Sequence, residues 1–475
     1  MNMNSITPEQ GIIFQENSQQ KELGVSVSGA GDVNGDGIND VIIGAPGAKS
    51  GLGEAYVIYG SEETSPLIDL TTSLSLEKGF TITGGLDKGF LGTSVSTAGD
   101  INGDGLSDLV IGAPSANWNT GAVYVIYGDK TRKSDVNLSE ELDPQEGFVV
   151  YGTSPEKLGS AVNCAGDVNG DGISDIIIGA PYANDQSGSA YVIYGKKAGH
   201  NNMETSSLKQ EEGFRLNGVS PYSQFGKAVS GAGDVNGDGV DDIIIGVPLA
   251  ENRAGKAYVV FGKKEARENM YFGDEQMDLN EGFTVTGLEY SSLGTSVSKG
   301  GDPNGDGIDD IVIGSPKAGG NQGAAYVIFG RKDGGLKNIN LMLEDLSPER
   351  GFTISGKSMN YLGTAVGQGG DFNGDRIDDV LVGSFQMNFN QGAAQIFYGS
   401  QSRLEDVTLG SELDPVKWSY FQGDSKIRTI GYSVSGIGDF NKDGIDDVII
   451  GSRDAYMGKG AAFIIFGSSI YVWRG

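Results

Sequence analysis

Asp32-Val33-Asn34-Gly35-Asp36-Gly37-Ile38-Asn39-Asp40 is an acidic nonapeptide that this chain of 475 residues writes seven times, beginning again at Asp100, Asp167, Asp234, Asp302, Asp371 and Asp439. Successive first aspartates are 68, 67, 67, 68, 69 and 68 residues apart. So constant a period overrides the expectation of several domains from length alone and argues for one closed repeat array.

Each period holds four short β-like runs. In the third they are 158–165, 175–180, 188–195 and 213–218. The first run is built from small residues (Gly24-Val25-Ser26-Val27-Ser28), which suits a crowded inner strand near an axis. The second is continuously apolar (Ile176-Ile177-Ile178), as expected of a strand covered on both faces. The third mixes aromatic and aliphatic groups (Ala55-Tyr56-Val57-Ile58-Tyr59), and the fourth is a Gly-Phe strand (Gly79-Phe80-Thr81-Ile82-Thr83). Four strands per repeat make one blade, and seven repeats predict an all-β, seven-bladed propeller. The last repeat supplies only three runs, whereas Gly11-Ile12-Ile13-Phe14-Gln15 has the form of the missing fourth. That segment is expected to pair with the last blade and leave no open sheet edge. The organisation predicted is an N-terminal extension over 1–10, one propeller over 11–467 and a tail over 468–475.

In the nonapeptide the odd positions can turn inward together. Calcium takes six to eight oxygens, from carboxylates, amides and backbone carbonyls. The first loop offers Asp32, Asn34, Asp36, the carbonyl of Ile38, and Asp40. The corresponding sets are Asp100, Asn102, Asp104, Leu106 and Asp108; Asp167, Asn169, Asp171, Ile173 and Asp175; and Asp234, Asn236, Asp238, Val240 and Asp242. Then follow Asp302, Asn304, Asp306, Ile308 and Asp310; Asp371, Asn373, Asp375, Ile377 and Asp379; and Asp439, Asn441, Asp443, Ile445 and Asp447. Up to seven structural Ca2+ ions are expected. A helix-flanked calcium hand would need a bidentate Glu at the twelfth position. Ile43, Ile111, Ile178, Ile245, Ile313, Val382 and Ile450 stand there, so these read as hairpin loops. Magnesium usually keeps several waters in its small octahedral shell, and is disfavoured. The plainer alternative, that Asp and Asn are only turn formers, is harder to hold for seven loops at fixed spacing. Arg376 replaces a glycine at the sixth position and Lys442 one at the fourth, so weaker calcium is expected in those two loops.

With 63 Asp and Glu against 34 Lys and Arg, the formal charge is −29. That excludes nucleic acid and anionic membrane surfaces as default partners. Seven divalent ions would bring −29 to −15. Cys164 is the single cysteine, so no intramolecular disulfide is possible; lying in an apolar run, it reads as a buried small residue. His200, the single histidine, lies in a polar stretch and reads as a solvated loop residue. Met1 to Gln20 has no basic region and reads as no secretory signal, and no stretch reaches membrane-spanning length.

These repeats share a Leu-Gly or Phe-Gly opening (Leu23-Gly24, Leu91-Gly92, Leu158-Gly159, Phe225-Gly226, Leu293-Gly294, Leu362-Gly363), loosened to Ile430-Gly431, then the acidic loop and a Gly-Ala-Pro close (Gly44-Ala45-Pro46, Gly112-Ala113-Pro114, Gly179-Ala180-Pro181). The close becomes Gly246-Val247-Pro248 and Gly314-Ser315-Pro316, and is lost at Gly383-Ser384-Phe385 and Gly451-Ser452-Arg453. The pattern resembles the FG-GAP repeats of the integrin α-subunit head, a seven-bladed β-propeller, over residues 11–467. Similar repeats accompany enzyme domains such as phospholipases. Integrin heads carry calcium in only some blades and contain disulfides, whereas all seven loops here are acidic and there is one cysteine.

Strand alternation puts the acidic loops on one face, called lower. The loops between second and third strands and between blades form the upper face. The upper face gathers Trp118, Tyr182, Tyr222, Tyr290, Tyr361, Phe385, Phe389 and Tyr456, aromatics that a protein or glycan partner could use. The resemblance implies that this face meets ligand or a partner subunit. The expected function is a monomeric, calcium-binding adhesion or recognition module, extracellular or at the cell surface. The alternative is a non-catalytic module of a larger secreted hydrolase. No catalytic residue is assigned: there is no histidine cluster, no nucleophile with a base at family spacing and no phosphate loop.

Overall fold

The computed structural model describes residues 1–469 except 2, 4, 5, 17–20, 64, 72, 73, 86, 87, 133, 274–276, 358, 403 and 410–416. It is a seven-bladed β-propeller, with blades numbered here by their acidic loops. Blade 1 runs Val27–Gly31, Asp40–Ala45, Glu54–Ile58 and Gly79–Thr83, each antiparallel to the next. The same four-strand order recurs through blade 7, whose first three strands are Ser433–Gly438, Asp447–Ser452 and Ala461–Ile465. Inner strands lie side by side around the axis, and that of blade 7 meets that of blade 1.

The packing explains the residue types. Every second strand is buried at all six positions, because both its faces meet neighbouring blades. Apolar clusters accordingly bridge adjacent blades: Ile42, Val57 and Phe80 of blade 1 pack with Leu109, Ile111 and Tyr124 of blade 2.

Ring closure follows the sequence reading. Gly11–Gln15 is the fourth strand of blade 7, antiparallel to Ala461–Ile465 with Gly11 opposite Ile465 and Gln15 opposite Ala461. Ile12 and Phe14 are buried in the cluster joining blades 7 and 1.

The structure adds a fifth strand that the four-run reading lacks. Leu67–Asp69, from the connection between third and fourth strands of blade 1, pairs in parallel with Gly11–Gln15 of blade 7. Val136–Asn137 of repeat 2 does the same on blade 1, and four further blades receive such a strand. Repeats 1 to 6 therefore each clasp the outer edge of the blade before them. Blade 6 has four strands among the described residues. There the backbone of Met1 bonds to the fourth strand, its amine donating to the Tyr420 carbonyl at 2.6 Å and its carbonyl accepting from Gln422 at 2.9 Å. Met3 is wholly buried in the same apolar cluster as Phe372 and Phe421.

Two single residues differ from their reading. His200 is buried: its ring lies 4.9 Å from that of Phe148 and Nε2 is 2.7 Å from the Tyr194 carbonyl. The polar stretch around it is the approach to the clasp strand Met203–Glu204, which presses His200 onto blade 2. Cys164 is half-buried, because its inner strand borders an axial channel of about 730 Å³.

Candidate metal loops and the opposite face

A β-bulge precedes every acidic loop. In blade 1 it falls between Gly29 and Gly31, and the same register shift occurs in the other six inner strands. The bulge turns the chain out of the sheet into the nonapeptide.

Within the loop the first aspartate organises the backbone. Asp32 Oδ1 accepts from Gly35 and Asp36, at 2.6 and 3.1 Å, and Oδ2 accepts from Gly37 at 2.8 Å. Asn34 Oδ1 accepts from the Asp36 amide, and Asn34 Nδ2 donates to Asp36 Oδ2, both at 2.9 Å. Asp36 Oδ1 accepts from Ile38. Asp40 is fully buried and joins two ends of the blade: Oδ2 accepts from Val33, and Oδ1 from Gly60 just beyond the third strand. All seven loops repeat the bond from the sixth residue's amide to the first aspartate, including the one at Arg376, 2.8 Å from Asp371 Oδ2. Arg376 and Lys442 hold φ of 70° and 60°, the left-handed backbone that glycine adopts in the other loops.

The ninth aspartates carry the strongest electrostatic perturbation. Burial pushes the Asp40 carboxyl up to about 7, with the charges of Asp36 and Asp32 adding to it against the two backbone donors. Asp108 also reaches about 7, Asp175, Asp242 and Asp447 about 8, and Asp310 about 9, with burial the leading cause each time. Burial likewise holds Asp379 well above the usual carboxylate range.

Among the described residues no three acidic, imidazole or thiol side chains are drawn together as a ready-made metal cluster. The loop carboxylates are instead turned onto backbone amides. The donor set nonetheless fits a hard divalent cation. Every side-chain donor is an oxygen, three carboxylates destabilise one another within one turn, and in blade 5 a buried carboxylate oxygen, Asp310 Oδ2, has no hydrogen-bond partner. When bound, calcium would supply charge neutralisation and cross-linking of the hairpin; Asp32, Asn34, Asp36, Ile38 and Asp40, with their counterparts in the other six loops, would hold it.

Sequence reading missed the eighth residue of the loop. In blades 4 to 7 it is Asp241, Asp309, Asp378 and Asp446, and each reaches the loop of the preceding blade. The doubled aspartate that closes these four loops was the available signal.

On the upper face, the loop between second and third strands hydrogen-bonds the loop between blades, as Phe90 to Gly51, Lys157 to Asn119 and Tyr361 to Asn321. Both loop families thus share one end, opposite the acidic loops. Trp118 and Phe389 stand at hairpin tips, 87% and 98% exposed, each within a run of left-handed residues such as Asn117, Trp118 and Asn119. Tyr222 and Tyr290 are also exposed, in the loops between blades. Tyr182, Tyr361, Phe385 and Tyr456 are half-buried. Lys157 Nζ lies 4.7 Å from the centre of the Tyr182 ring, and Phe385 packs edge-on against Tyr432 at 5.4 Å. These eight residues share a face but are spread over blades 2 to 7. Met359 and Met457 are exposed beside them, and were missed because methionine was not counted with the aromatics.

The FG-GAP repeat family matches residues 23–58, 91–126, 161–193, 225–260 and 293–328. The chain carries five FG-GAP repeats in its β-propeller. The five matched repeats are blades 1 to 5; blades 6 and 7 keep the architecture but have lost the Gly-Ala-Pro close and carry Arg376 and Lys442. Integrin alpha pat-2 of Caenorhabditis elegans is 31% identical over 47% of this chain and 18% of its own length. Integrin alpha-V of Gallus gallus is 31% identical over 47% of this chain and 20% of its own. Phosphatidylinositol-glycan-specific phospholipase D of Bos taurus is 25% identical over 81% of this chain and 47% of its own. The FG-GAP propeller thus spans less than half the length of these curated relatives. Among the described residues no helix is long and apolar enough to cross a membrane.

Proposed function

We propose that this propeller is a calcium-stabilised recognition module that works outside the cell or at its surface, with a protein or glycan partner on the upper face. One observation carries the reading: the acidic loops and the exposed aromatics occupy opposite ends of the same blades. The lower loops tie hairpins together through buried ninth aspartates, while Trp118, Tyr222, Tyr290 and Phe389 stand exposed on the upper face. Large exposed aromatics are unusual on a surface with no partner and are the residue types that anchor interfaces. Millimolar extracellular calcium would keep even modest sites filled. The likeness to integrin α chains supports this reading, and no catalytic role is assigned.

A second reading, a non-catalytic module attached to a hydrolase, is favoured by the length of the similarity to the phospholipase D, which covers 81% of this chain. A screen of matrix proteins and glycans, run with calcium and with chelator, tests the first. Binding should require calcium and fall at least tenfold in Trp118→Ala, Tyr222→Ala and Tyr361→Ala combined. Unchanged binding by that triple variant would refute the upper-face assignment, and capture of a hydrolase domain expressed separately would favour the second reading.

A further inference from the structure

The seven acidic loops are not equally connected. In blades 4 to 7 the eighth loop residue is an aspartate whose Oδ2 accepts from the backbone amide of the first aspartate in the preceding blade. The distances are 2.8 Å for Asp241 to Asp167, 3.0 Å for Asp309 to Asp234, 2.9 Å for Asp378 to Asp302 and 3.0 Å for Asp446 to Asp371. Blades 1 to 3 have Asn39, Ser107 and Ser174 at this position, and no such side-chain bond joins them to the preceding loop among the described residues. The backbone contact beneath is common to both kinds of junction: the Ser107 amide donates to the Asp32 carbonyl at 3.0 Å, and that of Asp241 to Asp167 at 3.1 Å. The carboxylate is the added element.

Close approach depends on the glycine just before each loop. Gly166, Gly233, Gly301 and Gly370 have φ between 65° and 80°, and a Cβ on any of them would sit 2.2 to 2.4 Å from the incoming Oδ2. Two of the bridging carboxylates are gripped by a further donor from their own inner strand. Lys299 Nζ is 3.0 Å from Asp309 Oδ1, and Gln368 Nε2 is 3.2 Å from Asp378 Oδ2. These are charge-assisted bonds, stronger than neutral ones.

The covalent order gives the bridges a consequence. Asp309 is followed directly by Asp310, a candidate ligand of its own loop, and it holds the amide of Asp234, a candidate ligand of the loop before. One peptide unit and one hydrogen bond therefore separate ligands of two neighbouring loops. The same holds at the other three bridges, which string the loops of blades 3 to 7 in series and leave those of blades 1 and 2 outside. We propose that Asp241, Asp309, Asp378 and Asp446 are positioning residues that couple calcium uptake among the five loops of blades 3 to 7. Fixing a ninth aspartate fixes the eighth, which fixes the first aspartate of the preceding loop; by linkage the effect runs equally in the other direction. This rests on the calcium reading above.

The test is calcium titration of the full chain after chelation, by calorimetry with stoichiometry from equilibrium dialysis. Asp309→Ser places at the junction of blades 4 and 5 the residue this chain carries at 107 and 174. It should leave the number of bound ions unchanged and lower the Hill coefficient, with about a fivefold loss of affinity spread over loops other than its own. Ser174→Asp should raise the Hill coefficient by bringing the loop of blade 2 into the series. Losing or gaining one charge moves the midpoint, whereas only a bridge moves the steepness. Should Asp309→Ser fail to fold, Ser174→Asp carries the test alone. Steepness unchanged in every variant that folds, with calcium bound throughout, would overturn the coupling and spare the calcium reading. No calcium bound by the unaltered chain would overturn both.

Discussion

Pro303 leaves Oδ2 of Asp310 buried with no hydrogen-bond donor. In five other loops the second residue gives its backbone N–H to the ninth aspartate, at 2.9 to 3.0 Å from Val33, Ile101, Val168, Val235 and Phe440. Proline has no N–H to give. Burial and the charges of Asp306 and Asp302 push the Asp310 carboxyl up, with only the Gly330 amide among its backbone partners opposing them. Pro303→Val should stabilise the chelated protein by about 1 kcal/mol more than the calcium-loaded one, since an unmade buried hydrogen bond weighs most when nothing else satisfies the oxygen. The proline's own effect on the unfolded chain is present in both conditions and drops out of the comparison. Paired melts with calcium and with chelator give the answer; an equal change in both would count against it.

Arg376 and Lys442 adopt the glycine conformation rather than distorting their loops, so the strain resides in the fold. Arg376→Gly should relieve about 1 kcal/mol, and Lys442→Gly a similar amount. Lys442 also gives up an exposed ion pair to Glu62 at 3.0 Å, which counts for little. Each substitution should raise the melting temperature and tighten calcium at its own loop. A calcium titration in which either glycine variant binds more weakly than the parent chain would contradict the strain argument.

Most of the fold was legible because its determinants are local and repeated. Small inner residues, the Ile-rich second strand and the Gly-Phe fourth strand each state their burial directly, and the missing strand of blade 7 could be found by counting. The clasp strands were not legible: Val136–Asn137 is two residues long, and its pairing is set by the blade it joins rather than by any alternation of its own. The loop residues proposed as ligands were chosen from spacing alone. The bridges of Asp241, Asp309, Asp378 and Asp446 could not, because each acts on a residue 74 to 76 positions away. His200 was misread for the same reason, its burial coming from Phe148 across the blade edge.

The ring is held shut at Phe14. This side chain is wholly buried between blades 7 and 1, on a strand whose partner, Ala461–Ile465, comes from the other end of the chain. Phe14→Ala should cost about 3 to 5 kcal/mol, the range for a buried phenylalanine that leaves a cavity. Denaturant unfolding would measure it. A cost under about 1 kcal/mol would mean that the closure contributes little to stability.

His200 gives the fold a pH dependence whose sign can be worked out. Burial is the leading cause that lowers its pKa below the usual value, and it outweighs the opposing bond to the Tyr194 carbonyl. Below about 6.5 the unfolded chain therefore takes up a proton that the folded chain resists. The stability that neutral His200 contributes is complete above that pH and is lost as pH falls through the lowered folded value. The ninth aspartates pull the other way without calcium, since their raised values mean that the folded state keeps protons the unfolded state has released between about pH 4 and 8. A comparison with His200→Phe cancels that background. In saturating calcium the parent chain should be the more stable of the two at pH 8, because the variant strands the Tyr194 carbonyl. The gap should close as pH falls to 5. Melting temperatures of both proteins across that range decide it, and a gap that widens in acid would reverse the assignment of a neutral, buried imidazole.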